Sequence, residues 1–566
     1  MLILYTLLFI QFFGILSYPG KIIHTSYGPV QGEVHKIYGR IMTKYSGIPF
    51  AEPMSKRNRF EPPKPLRKNI WKDVFNASKP GNACYQGTFR NGDEEHDNRI
   101  PRISISEDCL QLTMYVPKSK TGDVLIFFHG DFLLYGDSFL DIYDGSYLAV
   151  LKNVIVVNIN YRLGIFGFGY LGEGKLIPGN LGLLDQQLGL KWVYENIASF
   201  GGNPNKITLW GQGMGSVFAT AHLYSEESSK YFSKIIANSG TISNIWAAQS
   251  NEFVEEMTRS LAEYLNCIGE DKQILNCLKK SSPNSLASAT EIVSRKVNFP
   301  YFYGFNIIER DDVFFKGNVS KKIEKNIIKD KFDILLGYSS NEGAFFIGNF
   351  LDNYKFGCVP KNGVTFNRND CNINRKQYKV FLDLIQKQLK LSDKDISIIR
   401  KTYSRLNLNY RDKASKIISD IAFRCDIAHY AKNISSYPKR RVYLYIFDFY
   451  SSSSELPLWM EPKHGHELQY AFGVPYRYPE NYNDHYLKKE RKFSQNFMYM
   501  IKNFVATGEP GSRWKRKHVE TNRAGILDFT LATQGPIKFR VNPYSKICKR
   551  IYGLLPKRLT LFEKNF

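Results

Sequence analysis

Two kinds of apolar pattern alternate along this chain. One is short, nearly unbroken and rich in β-branched residues. It occurs in "DVLIFFHG" (Asp123–Gly130), "NVIVVNINYR" (Asn153–Arg162), "KITLW" (Lys206–Trp210), "KIIANSG" (Lys234–Gly240), "FDILLGYSS" (Phe332–Ser340) and "RVYLYIFDF" (Arg441–Phe449). Such runs predict strands buried on both faces. The other kind is longer and periodic. In "LGLLDQQLGLKWVYENIASFGG" (Leu181–Gly202), apolar residues at 183, 184, 188, 190, 193 and 197 follow helical spacing, and two glycines end the run. A further helix is expected to begin near Met214, directly after a glycine turn.

This alternation predicts an α/β fold with a mostly parallel central sheet and helices on both faces. The segments 245–330 and 350–435 read as helical insertions. No linker-like stretch or internal repeat divides the chain, so residues 20–566 are expected to form one domain.

The first residues are apolar from Leu2 to about Leu16, and small and turn residues follow at Ser17, Pro19 and Gly20. This predicts a secretory signal peptide over residues 1–19, because the run is short for a membrane anchor. No later run reaches membrane-spanning length, so no span is expected after cleavage and the protein is expected outside the cell. The eight cysteines, at 84, 109, 267, 277, 358, 371, 425 and 548, suit that compartment as bridges. None forms a C-x-x-C pair, so zinc is not expected, and no cofactor motif is present. Pairing of neighbours is the simplest connectivity, although sequence alone does not fix it. Sequons at Asn76, Asn318 and Asn433 are candidate glycosylation sites.

The net charge of +24 changes the picture of partners. It favours anionic ones, such as a sulfated glycan or an acidic protein, by long-range attraction. Solvated basic residues are the plainer explanation. No nucleic-acid motif accompanies the charge, so no nucleic-acid partner is expected.

The stretch "ITLWGQGMGSVFA" (Ile207–Ala219) carries the candidate chemistry. A short strand, a glycine turn and a helix are the form of a nucleophile elbow, G-x-S-x-G. Here the pattern is Gly211-Gln212-Gly213-Met214-Gly215, and a glycine stands at the serine position.

Other motifs cover most of the chain: "YSGIPFAEP" (Tyr45–Pro53), "SEDCLQLTMYVP" (Ser106–Pro117), "NYRLGIFGF" (Asn160–Phe168) and "GNLGLLDQQLGLKWVYENIASFGGNP" (Gly179–Pro204). On these the chain resembles the type-B carboxylesterases and cholinesterases, an α/β-hydrolase family. The resemblance implies bridges Cys84–Cys109, Cys267–Cys277 and Cys425–Cys548, with Cys358–Cys371 as an extra pair. It implies an acid at Glu342, in "SSNEGAFF", and a base at His464, in "KHGHELQYAFG"; His466 fits less well. It also implies a glycine-rich oxyanion loop, which here is His129-Gly130-Asp131-Phe132-Leu133.

The loop and the elbow depart from that family pattern. Gly213 offers no oxygen for acyl transfer, and loss of the serine costs about 10⁶-fold in a serine protease. Asp131 and Phe132 replace glycines that would let backbone N–H groups approach the substrate. Phe132 is expected to fill the space, and Asp131 to put negative charge near the developing oxyanion. Gln212 replaces an acidic residue and Met214 an alanine, whose place it would crowd. Ser216, inside the helix, is expected to bond a backbone carbonyl. The segment between Cys84 and Cys109 has no tryptophan for choline binding; it offers Tyr85, Phe89 and the acids Asp93, Glu94, Glu95 and Asp97.

A non-serine elbow is a property of the cholinesterase-like adhesion proteins, of neuroligin and glutactin type, that the chain resembles. The reading is therefore a secreted, catalytically inactive binding module with an extracellular protein or anionic glycan as partner. The alternatives are a divergent ester hydrolase of weak activity and a carrier of a hydrophobic ligand in the vestigial gorge. The apolar helix in Phe493–Pro510 suits either a homodimer contact or the core.

Overall fold

A computed structural model describes residues 17–87, 100–295, 304–352, 356, 358, 371–454, 456–514, 523–533, 537–541 and 543–555. Residues 1–16 of the expected signal peptide lie outside the described residues, as do Phe89 and the acids Asp93, Glu94, Glu95 and Asp97.

One large sheet organises the chain. Its main strands are β1 (Tyr18–Thr25), β2 (Gly28–Ile37), β3 (Arg40–Pro49), β4 (Gln111–Pro117), β5 (Val124–Phe128), β6 (Ile155–Ile159), β7 (Ile207–Gln212), β8 (Lys234–Asn238), β9 (Phe332–Ser339), β10 (Arg440–Phe447), β11 (Arg523–Leu527) and β12 (Lys538–Val541). Their spatial order is β1-β2-β3-β4-β6-β5-β7-β8-β9-β10-β11-β12. From β6 to β11 all neighbours are parallel, whereas β1 to β4 and β12 join antiparallel at the edges. β1 begins at Tyr18, and a register break separates Pro19 from Ile22.

The helices are α1 (Ser146–Lys152), α2 (Leu181–Asn196), α3 (Met214–Ala221), α4 (Asn251–Tyr264), α5 (Asp271–Lys280), α6 (Pro283–Arg295), α7 (Glu342–Asp352), α8 (Arg375–Gln388), α9 (Asp393–Ser404), α10 (Tyr410–Ile418), α11 (Cys425–Ser435), α12 (Glu467–Ala471), α13 (Asp484–Thr507) and α14 (Lys546–Tyr552), with shorter turns between. Helices α4 to α6 and α8 to α11 are the two helical insertions.

Strand alternation explains why the central runs are apolar almost throughout. Val124, Ile126 and Phe128 enter one core, whereas Leu125 and Phe127 enter a second. Ile155, Val157 and Ile159 divide from Val156 in the same way, and Ile235 and Ala237 from Ile236. A strand covered on both faces is apolar at most positions, with a few buried polar residues such as Asn158 and Thr208. In α13, Phe493, Phe497, Met498, Ile501 and Phe504 belong to the second core, so this apolar side is committed within the chain.

Four disulfides are present: Cys84–Cys109, Cys267–Cys277, Cys358–Cys371 and Cys425–Cys548. Among the described residues, no helix is long and apolar enough to cross a membrane.

Candidate active site

The elbow follows β7, an inner strand of the parallel part of the sheet. β7 pairs with β5 on one side and β8 on the other, and the chain turns at Gly213 into α3. Gly213 has φ 56° and ψ −119°, a conformation that favours glycine. Its N–H donates to Asn238 O at 2.8 Å, and its carbonyl accepts from the N–H groups of Ser216 and Val217 at 3.1 Å each.

The three elbow glycines differ in what surrounds them. A β-carbon on Gly211 would stand 2.0 Å from Gly215 O, and one on Gly215 would stand 2.1 Å from Phe128 O. Those two glycines let β7, α3 and β5 pack backbone to backbone. A β-carbon on Gly213 would instead meet only the imidazole of His464, with Nε2 at 2.9 Å.

His464 precedes α12, and Glu342 opens α7 after β9. His464 Nδ1 donates to Glu342 Oε2 at 2.6 Å. The other carboxylate oxygen accepts from Ser239 Oγ at 2.6 Å and from the N–H of Ser339 at 2.7 Å. Glu342 is fully buried and His464 is 8% exposed. The carboxylate therefore fixes the tautomer, leaving Nε2 to face Gly213. His466 lies apart from this pair, with Nδ1 3.9 Å from Glu461 Oε2.

Three phenylalanines that sequence reasoning missed pack on this imidazole. Ring centroids of Phe423, Phe346 and Phe345 lie 5.0, 5.5 and 6.3 Å from that of His464. Phe345 and Phe346 stand three and four positions after Glu342 on α7, so helical spacing could have placed them on its face. Phe423 had no comparable signal, because it arrives from the helical insertion in a wide π-type turn, Ser419–Arg424. Ser239, which holds Glu342, was also not anticipated.

The loop after β5 closes the site's other side. Gly130 packs against the elbow so closely that a β-carbon would lie 2.5 Å from Gln212 O and 3.2 Å from Met214 N. Asp131, Phe132 and Leu133 follow, all in the left-handed region at φ 37°, 64° and 63°. Phe132 stacks on Phe345 with centroids 6.2 Å apart. Met214 is buried, and Ser216 Oγ donates to Gly240 O at 2.6 Å.

Asp131 is held by its neighbours. Its carboxylate accepts a hydrogen bond from the Tyr143 hydroxyl. The reason is the neighbouring polar group: Tyr161 and Tyr143 both stack on His129, and a β-carbon on Gly136 would touch both His129 Nδ1 and Asp131 Oδ2. Burial pushes His129 down to about 4. Gln212 is also buried, beside Gly465, which adjoins His464.

The remaining sequence candidates lie elsewhere. Tyr85 packs on Phe166, with ring centroids 5.9 Å apart. Asn76 and Asn433 are exposed, while Asn318 is half-buried and caps a short helix by accepting from the N–H of Lys321. Among the described residues, no group of three or more His, Cys, Asp and Glu side chains could hold a metal ion.

A parallel sheet with an inner strand that turns sharply into a helix, facing a histidine held by a carboxylate, defines the α/β-hydrolase class. The profile of the carboxylesterase family matches residues 19–545. The chain is 32% identical to acetylcholinesterase 4 of Caenorhabditis briggsae over 87% of its length and 82% of that relative's. It is 30% identical to the cholinesterase of Mus musculus, over 86% and 79% of the two lengths, and 30% identical to the acetylcholinesterase of Electrophorus electricus, over 90% and 84%. The chain belongs to the carboxylesterase family.

Proposed function

We propose that this chain is a secreted, catalytically inactive member of its family that acts as a binding module. One observation carries the reading: a β-carbon at position 213 would stand 2.9 Å from His464 Nε2, and Gly213 has no side chain to put there. Acyl transfer needs an attacking oxygen that the histidine can deprotonate. Gly213 supplies none, and Ser216, the nearest hydroxyl along the helix, is spent on Gly240 O. Glu342 and His464 then remain as a buried, hydrogen-bonded pair. Phe132 supports the same reading, because it occupies the loop where the family pattern has glycine. The packing of Phe132, Phe345 and Met214 argues against a roomy pocket for a hydrophobic cargo. Four disulfides and three sequons fit an oxidising, extracellular compartment.

The test uses purified chain with a chromogenic acetate ester and a fluorophosphonate label. The reading expects no covalent adduct and no turnover beyond that of a His464→Ala variant. A labelled serine, or turnover that His464→Ala abolishes, establishes the divergent hydrolase instead.

A further inference from the structure

A cleft of about 520 Å³ opens between the β2–β3 turn, the end of β4 and the end of α1. Gly39, Arg40, Ile41, Lys118, Val150 and Asn153 line it. Helix α13 continues this surface. Lys152 Nζ donates to Gln495 O at 2.9 Å and lies 5.7 Å from the ring centroid of Tyr499. Lys492, Gln495, Tyr499 and Lys502 recur at helical spacing, so one face of α13 carries them. At 1.5 Å per residue, Lys492 and Lys502 are separated by about 15 Å along the axis.

Charge is concentrated here without compensation. Many exposed lysines elsewhere have carboxylate partners, as in Lys64–Glu61, Lys230–Glu227 and Lys439–Asp330. Among the described residues, Arg40, Lys118, Lys152, Lys492 and Lys502 form no ion pair. Burial pushes the Lys152 amine down to about 8, and repulsion from Arg40, Lys492 and Lys502 acts in the same direction. No carboxylate is among the groups acting on it. A cleft lined by one sign of charge focuses its field and concentrates ligands of the opposite sign.

We propose that this cleft and the adjoining face of α13 bind a sulfated oligosaccharide. Cations spread over a cleft and a helix face suit a linear polymer with repeated anions better than a single phosphate. Tyr499, 57% exposed, presents a ring on which a sugar can rest. A concave site suits a chain that lies within it, whereas a bilayer meets a protein on a flat or convex face. The proposal goes beyond the inactive-elbow reading. It shares only the extracellular setting with it, and binding is measured on purified chain, so either can fail alone.

The experiment measures binding of a heparin-derived octasaccharide and its desulfated counterpart across a series of salt concentrations. Wild type should bind the sulfated form saturably, more weakly as salt rises. The triple variant Lys118→Glu, Lys492→Glu, Lys502→Glu should lose at least about tenfold in affinity near 0.15 M salt. The control, Lys376→Glu, Lys379→Glu, Lys394→Glu, makes the same charge change at exposed positions of α8 and α9 and should lose less than about threefold. Circular dichroism and a melting curve check that each variant folds. Lys152→Gln, which keeps a donor for Gln495 O, should weaken binding without disturbing the fold. Equal losses in the two triple variants would reduce the effect to net charge and overturn the proposal. So would equal binding of the desulfated sugar, absence of saturable binding, or cleft-dependent binding only to phosphatidylserine-containing vesicles.

Discussion

His464 Nε2 lies 2.9 Å from where a β-carbon on Gly213 would stand, and nothing but that imidazole occupies the space within 4 Å. The imidazole is itself braced by Glu342 and by three phenylalanine rings. Gly213→Ala should still fold, at a cost of about 1–3 kcal/mol for a side chain at φ 56°, with the imidazole giving way by a few tenths of an ångström. Gly211→Ala and Gly215→Ala should fare far worse, because their new methyls run into backbone 2.0–2.1 Å away. Urea unfolding and soluble yield separate the two outcomes. Equal tolerance at all three positions would contradict this account of the elbow.

Acid should weaken the fold through histidines outside the elbow. His222 is fully buried, with Nδ1 2.8 Å from Ser228 Oγ and Nε2 3.3 Å from Gln186 Oε1. Burial pushes it from 6.5 to about 3, and His129 from 6.5 to about 4. A depressed histidine favours the fold in its neutral form. That contribution is complete above pH 6.5 and is lost as pH falls toward 4 for His129 and toward 3 for His222. Between pH 7.5 and 4.5 each loss amounts to about 2–3 kcal/mol. Asp137 acts oppositely: burial raises it to about 6, so its protonation favours the fold as pH falls from 6 toward 3.8. The histidine share is read from His222→Gln, whose stability should fall by about 2–3 kcal/mol less than wild type over that range. Parallel pH curves for the two proteins would remove His222 from the explanation.

The same physical distinctions decide what the sequence could reveal. Strands β5 to β10 were legible because two-sided burial leaves an unmistakable apolar run. The elbow was legible because Gly211 and Gly215 are fixed by backbone contact, which no other residue can satisfy. Strands β1 to β3 escaped notice: β2 alternates buried and half-buried positions, and much of β1 is exposed, so neither stands out from a loop. At the site, Glu342, His464 and Gly213 were found by motif, but not their surroundings. Phe423 and Ser239 come from segments distant in sequence, and Asp131 takes its direction from Tyr143, twelve residues on. Tertiary contacts of this kind leave no local spacing to read.

One buried ion pair joins the sheet to its largest central helix. Arg162, just after β6, donates to Asp185 of α2 from Nε and Nη2 at 2.7 Å each, and the Arg162 N–H adds a third bond at 3.0 Å. Both side chains are buried. Asp185→Ala strands a guanidinium out of water, and breaking such a pair costs about 3–5 kcal/mol. Asp330→Ala removes the exposed partner of Lys439 and should leave the unfolding midpoint unchanged, because water replaces the lost contact. Chemical denaturation of the two variants checks the contrast, and a mild effect of Asp185→Ala would mean that Arg162 finds other acceptors.

Restoring hydrolysis should take more than one hydroxyl. Gly213→Ser supplies an oxygen, but its β-carbon must push His464 back by a few tenths of an ångström against Phe345, Phe346 and Phe423. The developing oxyanion would still need backbone donors, and the loop that should supply them holds side chains at positive φ. Each missing donor costs about 10²–10³ in turnover. Gly213→Ser alone should therefore give little ester hydrolysis. Adding Asp131→Gly and Phe132→Gly should raise it by about 10²-fold, because glycine relaxes those backbone positions and removes the ring stacked on Phe345. Removing the hydrogen bond to Tyr143 works against stability, so expression and melting temperature are compared alongside activity. The readout is hydrolysis of a chromogenic acetate ester, with fluorophosphonate labelling to count reactive serines and His464→Ala in the triple background as the blank. Full activity from the single change would mean that the Asp131–Leu133 loop already presents its donors. Labelling without turnover would show that His464 activates the new serine and would place the remaining fault in a later step.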